Sequence, residues 1–169
     1  KLVDYSHDRH NIYLTCPLAS NGSLKSVFAS VLKQQKLLAE PLLALIIKDV
    51  ATALKFLHSK NIIHRDVKED NVLVDHDGNM ILADFGLSAI APVHFFGGAV
   101  GDERLRTGTA RFFAPDQYKV GGAVVTRKVD IFAVGVMMFR LATGRTPFSG
   151  VPSDEKLAAA LTKVPHEDG

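Results

Sequence analysis

The sequence predicts a mainly helical chain with a small share of strand, an α+β arrangement, and three observations carry that reading. Leu43, Ile46, Ile47, Val50, Leu54 and Leu57 recur at steps of three and four, which lays one broad apolar stripe along a helix. Residues 129–138 are almost wholly apolar apart from Asp130, which predicts another helix, this one buried. Two short runs, Val72-Leu73-Val74 and Met80-Ile81-Leu82, flank the polar turn Asp75-His76-Asp77-Gly78-Asn79 and predict a hairpin.

Composition narrows the class. With 169 residues, 47% of them hydrophobic, the chain is long enough for one domain with a sizeable core. Twenty basic against 18 acidic side chains leave a net charge of +2, which points to no nucleic-acid or membrane-surface partner. Charges interrupt every apolar run before the roughly 20 residues that a membrane span needs, so no transmembrane helix is expected. The single cysteine, Cys16, excludes an internal disulfide framework and fits a reducing, cytoplasmic setting. No signal-peptide pattern opens the chain.

In chain order, Leu2, Val3 and Tyr5 lead into a His-Asp-Arg-His-Asn turn, and residues 12–16 follow as a second short strand. His7, Asp8 and His10 form a solvated turn rather than a metal site, because no further ligands stand at metal spacing. Ser20-Asn21-Gly22-Ser23 caps a helix through Leu24, Val27, Phe28, Val31 and Leu32. The striped helix opens at Glu40-Pro41, with proline in the first turn, where its missing N–H costs nothing. Asp75, Asp77 and Gly78 resemble a calcium loop only in part, since the later acidic ligand is absent, and they read as turn residues. Gly97, Gly98 and Gly101 follow no strand and open no helix, so they are not a phosphate cradle; a lid is the expectation for that stretch. Gly144 and Pro147 end the helix begun near Val129, and residues 153–157 start a further amphipathic helix. No repeat or low-complexity linker is visible.

Chemistry concentrates in residues 61–86. Asp66 and Asp84 stand on either side of the hairpin, with Lys68 and Asn71 between them. One carboxylate can orient the proton of an attacking hydroxyl, while an acid and an amide offer hard oxygens to magnesium: the needs of phosphoryl transfer. His64-Arg65-Asp66-Val67-Lys68-Glu69-Asp70-Asn71 resembles the catalytic loop of protein kinases, and Asp84-Phe85-Gly86 their metal-binding motif. The lysine within His-Arg-Asp-x-Lys-x-x-Asn is similar to the serine/threonine branch, and Ala83-Asp84-Phe85-Gly86-Leu87-Ser88-Ala89 looks closest to the sterile-20-like kinases.

That resemblance implies an α+β kinase fold. Residues 1–19 would be the last strands of the small lobe and the hinge, and residues 20–169 the large lobe, truncated at its C-terminus. It implies ATP and Mg2+ as cofactors and a protein substrate with a serine or threonine acceptor, and leaves the oligomeric state open. Asp66 would be the catalytic base, Lys68 would reach the transferring phosphate, and Thr109 would hydrogen-bond both. Asn71 and Asp84 would hold magnesium. The Pro17 carbonyl and the Ala19 amide would read adenine at the hinge, with Leu73 as the floor beneath the ring. Cys16 would line the back of that pocket as a small buried hydrophobe. Arg65 would receive an activation-loop phosphate, while His64 and Phe85 would stack between the lobes. Asp130 would anchor the catalytic-loop backbone, because a buried aspartate needs hydrogen bonds.

Several departures qualify the picture. Leu105 stands where the phosphoacceptor is usual, leaving Thr107 as the nearby hydroxyl. Asp116 replaces the expected glutamate of Ala-Pro-Glu, and Leu87 resembles members that favour serine. Arg140 stands where many members carry an acid that recognises a basic substrate residue, which predicts no basophilic preference from that position. A glycine-rich phosphate loop, a Val-Ala-Ile-Lys strand and a partner glutamate are not in the sequence, so the chain alone is expected to be inactive and aggregation-prone. An active kinase is the first functional reading. A pseudokinase scaffold is the alternative, and a small-molecule phosphotransferase is disfavoured by the peptide-platform style of residues 108–116.

Overall fold

Among the described residues, three α-helices and four two-stranded ladders are seen in a computed structural model. It describes residues 3–91, 93–94, 110–118, 124–148, 150–151 and 156. The hairpin β1 (Asp4–His7) and β2 (Ile12–Thr15) is antiparallel, with Asp4 opposite Thr15. Its turn is tied by Asp8, whose carboxylate accepts from the His10 and Asn11 amides and from the Tyr13 hydroxyl. Those bonds hold the Asp8 pKa down at about 2, and turn chemistry accounts for the cluster. Tyr5, Ile12, Tyr13 and Leu14 of this hairpin are exposed. Cys16 is exposed as well, contrary to the buried place expected for it.

The helices follow their sequence signals closely. Helix α1 (Leu24–Lys33) is capped by Ser23, whose Oγ accepts the Ser26 amide at 3.3 Å. Helix α2 (Glu40–Ser59) carries Pro41 in its first turn and buries Ile46, Val50, Leu54 and Leu57 along the predicted stripe. Each such side chain contributes about 1.5–3 kcal/mol by leaving water. Helix α3 (Lys128–Thr143) buries Val129, Ala133, Val136, Met137 and Leu141. It is not buried all round, however: Ile131, Met138 and Phe139 stay exposed on its other side. An apolar run shows that a helix can be covered, not that something covers it.

Short strands tie the loops to this helical layer. Strands β3 (Ile62–Ile63) and β6 (Ala89–Ile90) pair, as do β4 (Val72–Val74) with β5 (Met80–Leu82) and β7 (Val93–His94) with β8 (Val124–Val125). One core joins Leu24 and Phe28 of α1, the α2 stripe, Val67, Val72, Val74 and Leu82, Phe112, and the buried face of α3. Val67, lying between Asp66 and Lys68 in the chain, pins their loop to that core. In the turn Asp75–Asn79, Asp75 accepts from the Asp77 and Asn79 amides, so the faint calcium-loop pattern is spent on turn bonds. Of the lid expected over residues 84–116, residues 92 and 95–109, with Thr107 and Thr109, lie outside the described residues. So does the helix expected from residue 153, apart from Lys156.

Gly144 closes α3 in a left-handed conformation, φ +69°, with its amide on the Arg140 carbonyl at 2.8 Å. A Cβ there would also stand 3.3 Å from Leu32 Cδ2. Gly144→Ala is therefore expected to lower the unfolding free energy by about 1–2 kcal/mol, read as a lower urea midpoint at unchanged slope.

Candidate active site

The loop after β3 and the hairpin β4–β5 bring four of the predicted residues together. Residues Glu69–Asn71 form one 3-10 turn, closed by the Asn71 amide on the Lys68 carbonyl at 3.0 Å. That turn folds Asn71 back on Asp66: Asn71 Nδ2 donates to both the Asp66 carbonyl and Asp66 Oδ2, each at 2.8 Å. Lys68 Nζ donates to the same Oδ2 at 2.7 Å. Asp66 is buried, and its Oδ2 is shared by a cation and an amide.

Asp84 joins the cluster through the backbone. The Ala83 amide donates to the Asn71 carbonyl at 2.8 Å, which sets Asp84 beside the Asn71 turn. Asp84 adopts φ +63°, and its Oδ1 accepts the Gly86 amide at 3.2 Å. Its side chain is open to solvent, and the Asn71 amide nitrogen is committed to Asp66, so both residues have side-chain oxygen to offer a cation. Carboxylate and amide oxygens are the donors that magnesium takes, so this donor set fits it.

Behind the cluster stands a second tier of hydrogen bonds. His64 is fully buried; its Nε2 faces the Ala83 carbonyl at 3.0 Å and its Nδ1 faces the Asp66 amide at 3.3 Å. A carbonyl on one side and an N–H on the other fix a neutral ring protonated at Nε2. Burial pushes the His64 pKa below its ordinary value, against the pull of the Ala83 carbonyl and the carboxylates of Asp130, Asp66 and Asp84. Phe85 meets the His64 ring edge-on, with centroids 5.2 Å apart. Asp130, in the first turn of α3, accepts from the His64 amide through Oδ2 and from the Arg65 amide through Oδ1, both at 2.9 Å. His58 Nε2 lies 2.8 Å from the same Oδ2.

Other expected site residues are placed less completely. Residues 21–23, just past Pro17 and Ala19, pair with β4: the Asn21 amide donates to the Val74 carbonyl, the Val74 amide to the Gly22 carbonyl, and Ser23 bridges Leu73. Pro17 itself is exposed and Ala19 half-buried. Arg65 is half-buried with φ +69°. Sequence reasoning missed Glu69, which is buried and meets Arg140 across 3.1 Å. The available signal was Arg140 itself, a cation within an apolar helix that needs a partner. His58 was missed too; nothing in its own helix marks it as the partner of Asp130.

A buried aspartate held by a lysine and an asparagine thus stands next to an exposed aspartate in a left-handed turn. The protein kinase domain family profile matches residues 1–167. The chain belongs to the protein kinase family. It is 33% identical over 150 residues to the cell cycle serine/threonine-protein kinase CDC5/MSD2 of Saccharomyces cerevisiae, covering 88% of this chain and 20% of that protein. It is 32% identical over 166 residues to the Aurora kinase of Schizosaccharomyces pombe, covering 97% and 42%. It is 34% identical over 168 residues to the CBL-interacting serine/threonine-protein kinase 7 of Arabidopsis thaliana, covering 99% and 36%. The chain thus spans less than half the length of each of these relatives. Among the described residues, no helix is long and apolar enough to cross a membrane.

Proposed function

We propose that the protein carrying this chain is a serine/threonine protein kinase, transferring the γ-phosphate of ATP to a protein hydroxyl. The observation that supports this best is the Asp66 carboxylate held at once by Lys68 and Asn71, with Asp84 tied beside it through the Ala83–Asn71 backbone bond. In this reading Asp66 orients the acceptor hydroxyl and takes its proton, and Lys68 steadies the transferring phosphate. Thr109 would bond both, as in the serine/threonine branch. Asn71 and Asp84 would hold magnesium, which when bound neutralises charge on the phosphates. Pro17 and Ala19 would read adenine through their backbones over Leu73. Arg65 and Phe85 would couple the loop to the regulatory state, with Thr107 as a modifiable hydroxyl.

Residues 1–19 are then the end of a small lobe with its hinge, and residues 20–169 belong to the large lobe. The run Ala83–Ala89 supports a sterile-20-like placement within the family, and the lone unpaired cysteine supports a cytoplasmic protein.

The test is phosphate transfer from labelled ATP, with magnesium, by the whole protein on a serine-containing substrate. Asp84→Asn should reduce transfer by about 100-fold or more, since it takes a charge from the site that neutralises the phosphates. Absence of transfer from folded wild-type protein, or indifference to Asp84→Asn, would leave a non-catalytic scaffold in its place.

A further inference from the structure

The turn that carries Asn71 is held by more than its own backbone. Glu69 opens that turn; its side chain is only 2% exposed, and its Oε2 accepts Arg140 Nη1 at 3.1 Å. The other oxygen, Oε1, is buried with no hydrogen-bond partner among the described residues, so a single prong makes the tie. Arg140 is itself steadied by the Phe112 ring, its Cζ 5.6 Å from the ring centroid. Asp70, next in the turn, meets Lys25 of α1 at 2.6 Å, but both side chains are exposed and such a pair holds little.

One helix therefore anchors the catalytic loop at two places. Asp130, in the first turn of α3, accepts the His64 and Arg65 amides that lead into Asp66. Arg140, in the last turn of α3, holds Glu69 in the turn of Asn71. At about 1.5 Å per residue the two anchors stand roughly 15 Å apart along the helix axis. The first anchor was legible as a buried acid in an apolar helix; the second fixes the far side of the same loop.

We propose that Glu69 and Arg140 are positioning residues for the magnesium site: their ion pair fixes the turn Glu69–Asn71 on α3 and so holds the Asn71 side-chain oxygen where it serves as a ligand. This rests on the reading of Asn71 and Asp84 as the magnesium ligands. Groups that orient a ligand without touching the metal govern about 10–100-fold of its affinity. The pair acts through Asn71 and not on the acceptor, so peptide binding should not depend on it.

The test uses the whole protein and Mn2+, whose free form is counted by its electron paramagnetic resonance signal, in the presence of a non-hydrolysable ATP analogue. Replacing the pair by Glu69→Leu with Arg140→Met keeps the net charge and leaves no buried charge unpaired. It should weaken Mn2+ binding about tenfold and raise the magnesium needed for half-maximal transfer by a similar factor, with the KM for a serine peptide unchanged. Arg140→Lys keeps a charged donor for the one prong in use and should stay within about twofold of wild type. Unchanged Mn2+ binding in the folded double variant overturns the proposal, as does an equal loss in Arg140→Lys. If the double variant does not fold, Glu69→Ala takes its place, because it leaves only Arg140, which is 30% exposed and keeps its charge in water. Unchanged Mn2+ binding in that protein overturns the proposal too. A wild type that neither binds Mn2+ beside the analogue nor transfers phosphate strikes the kinase reading and this inference with it. Mn2+ binding that is equal in wild type and variant strikes the inference alone.

Discussion

Asp66→Asn is expected to slow phosphate transfer by about 100-fold to 10,000-fold while leaving the fold intact. An asparagine in this place offers one oxygen, and among the described residues one oxygen takes both of the side-chain bonds seen. Asp66 Oδ2 accepts Lys68 Nζ at 2.7 Å and Asn71 Nδ2 at 2.8 Å, and the amide oxygen can accept both in turn. The amide cannot take a proton at neutral pH, so the function proposed for the carboxylate is removed with little else. At about 1.36 kcal/mol per tenfold, the expected loss is roughly 3–5 kcal/mol of barrier lowering. The unfolding free energy should change by only about 1 kcal/mol, because what is lost is the charge assistance of two bonds. Single-turnover transfer and a urea titration on the same preparations separate the two quantities. A loss of less than about tenfold would move the proton acceptor to another group. A loss matched by unfolding would make Asp66 a structural residue.

The parts of this site legible in the sequence are the parts that are local in the chain. Asp66, Lys68 and Asn71 are close in the chain, and the one 3-10 turn Glu69–Asn71 brings the last of them back on the first. The α2 stripe was legible for a similar reason, its period being set by the helix and its start by Pro41. What stayed hidden depends on chain closure over long separations. His58 and Asp130 are 72 residues apart, and Glu69 and Arg140 are 71 apart. No local pattern reports such a meeting; only the cost of burying an unpaired charge hints that a partner exists. The ladders β3–β6 and β7–β8 have two residues per strand, too few to show alternation. Cys16 and the exposed side of α3 show the converse limit, since hydrophobic character states what a residue can bury against and not what is there.

Asp130→Ala should be the most destabilising single change at the site, at about 3–5 kcal/mol. Three partners converge on this carboxylate: the His64 amide, the Arg65 amide and His58 Nε2. Asp130 and His64 are fully buried, so alanine would leave backbone donors without acceptors, each at about 1–3 kcal/mol. The consequence for the site runs through the backbone. Arg65 holds φ +69°, a conformation that costs a non-glycine residue about 1–2 kcal/mol and persists only where its surroundings enforce it. The two amide bonds to Asp130 hold the backbone that leads into that residue, and Asp66 comes next in the chain. Released from them, Arg65 is free to return to an ordinary conformation, which displaces Asp66 from Lys68 and Asn71. Displacement of about 1 Å is enough to cost about 100-fold in rate, so transfer should fall further than stability alone accounts for. His58→Ala removes one partner and leaves both amides bonded, so its cost should be about 1 kcal/mol with transfer nearly unchanged. Urea unfolding and transfer measured on both variants below the unfolding midpoint distinguish the cases. If Asp130→Ala costs no more than His58→Ala, the carboxylate is not what holds the catalytic loop.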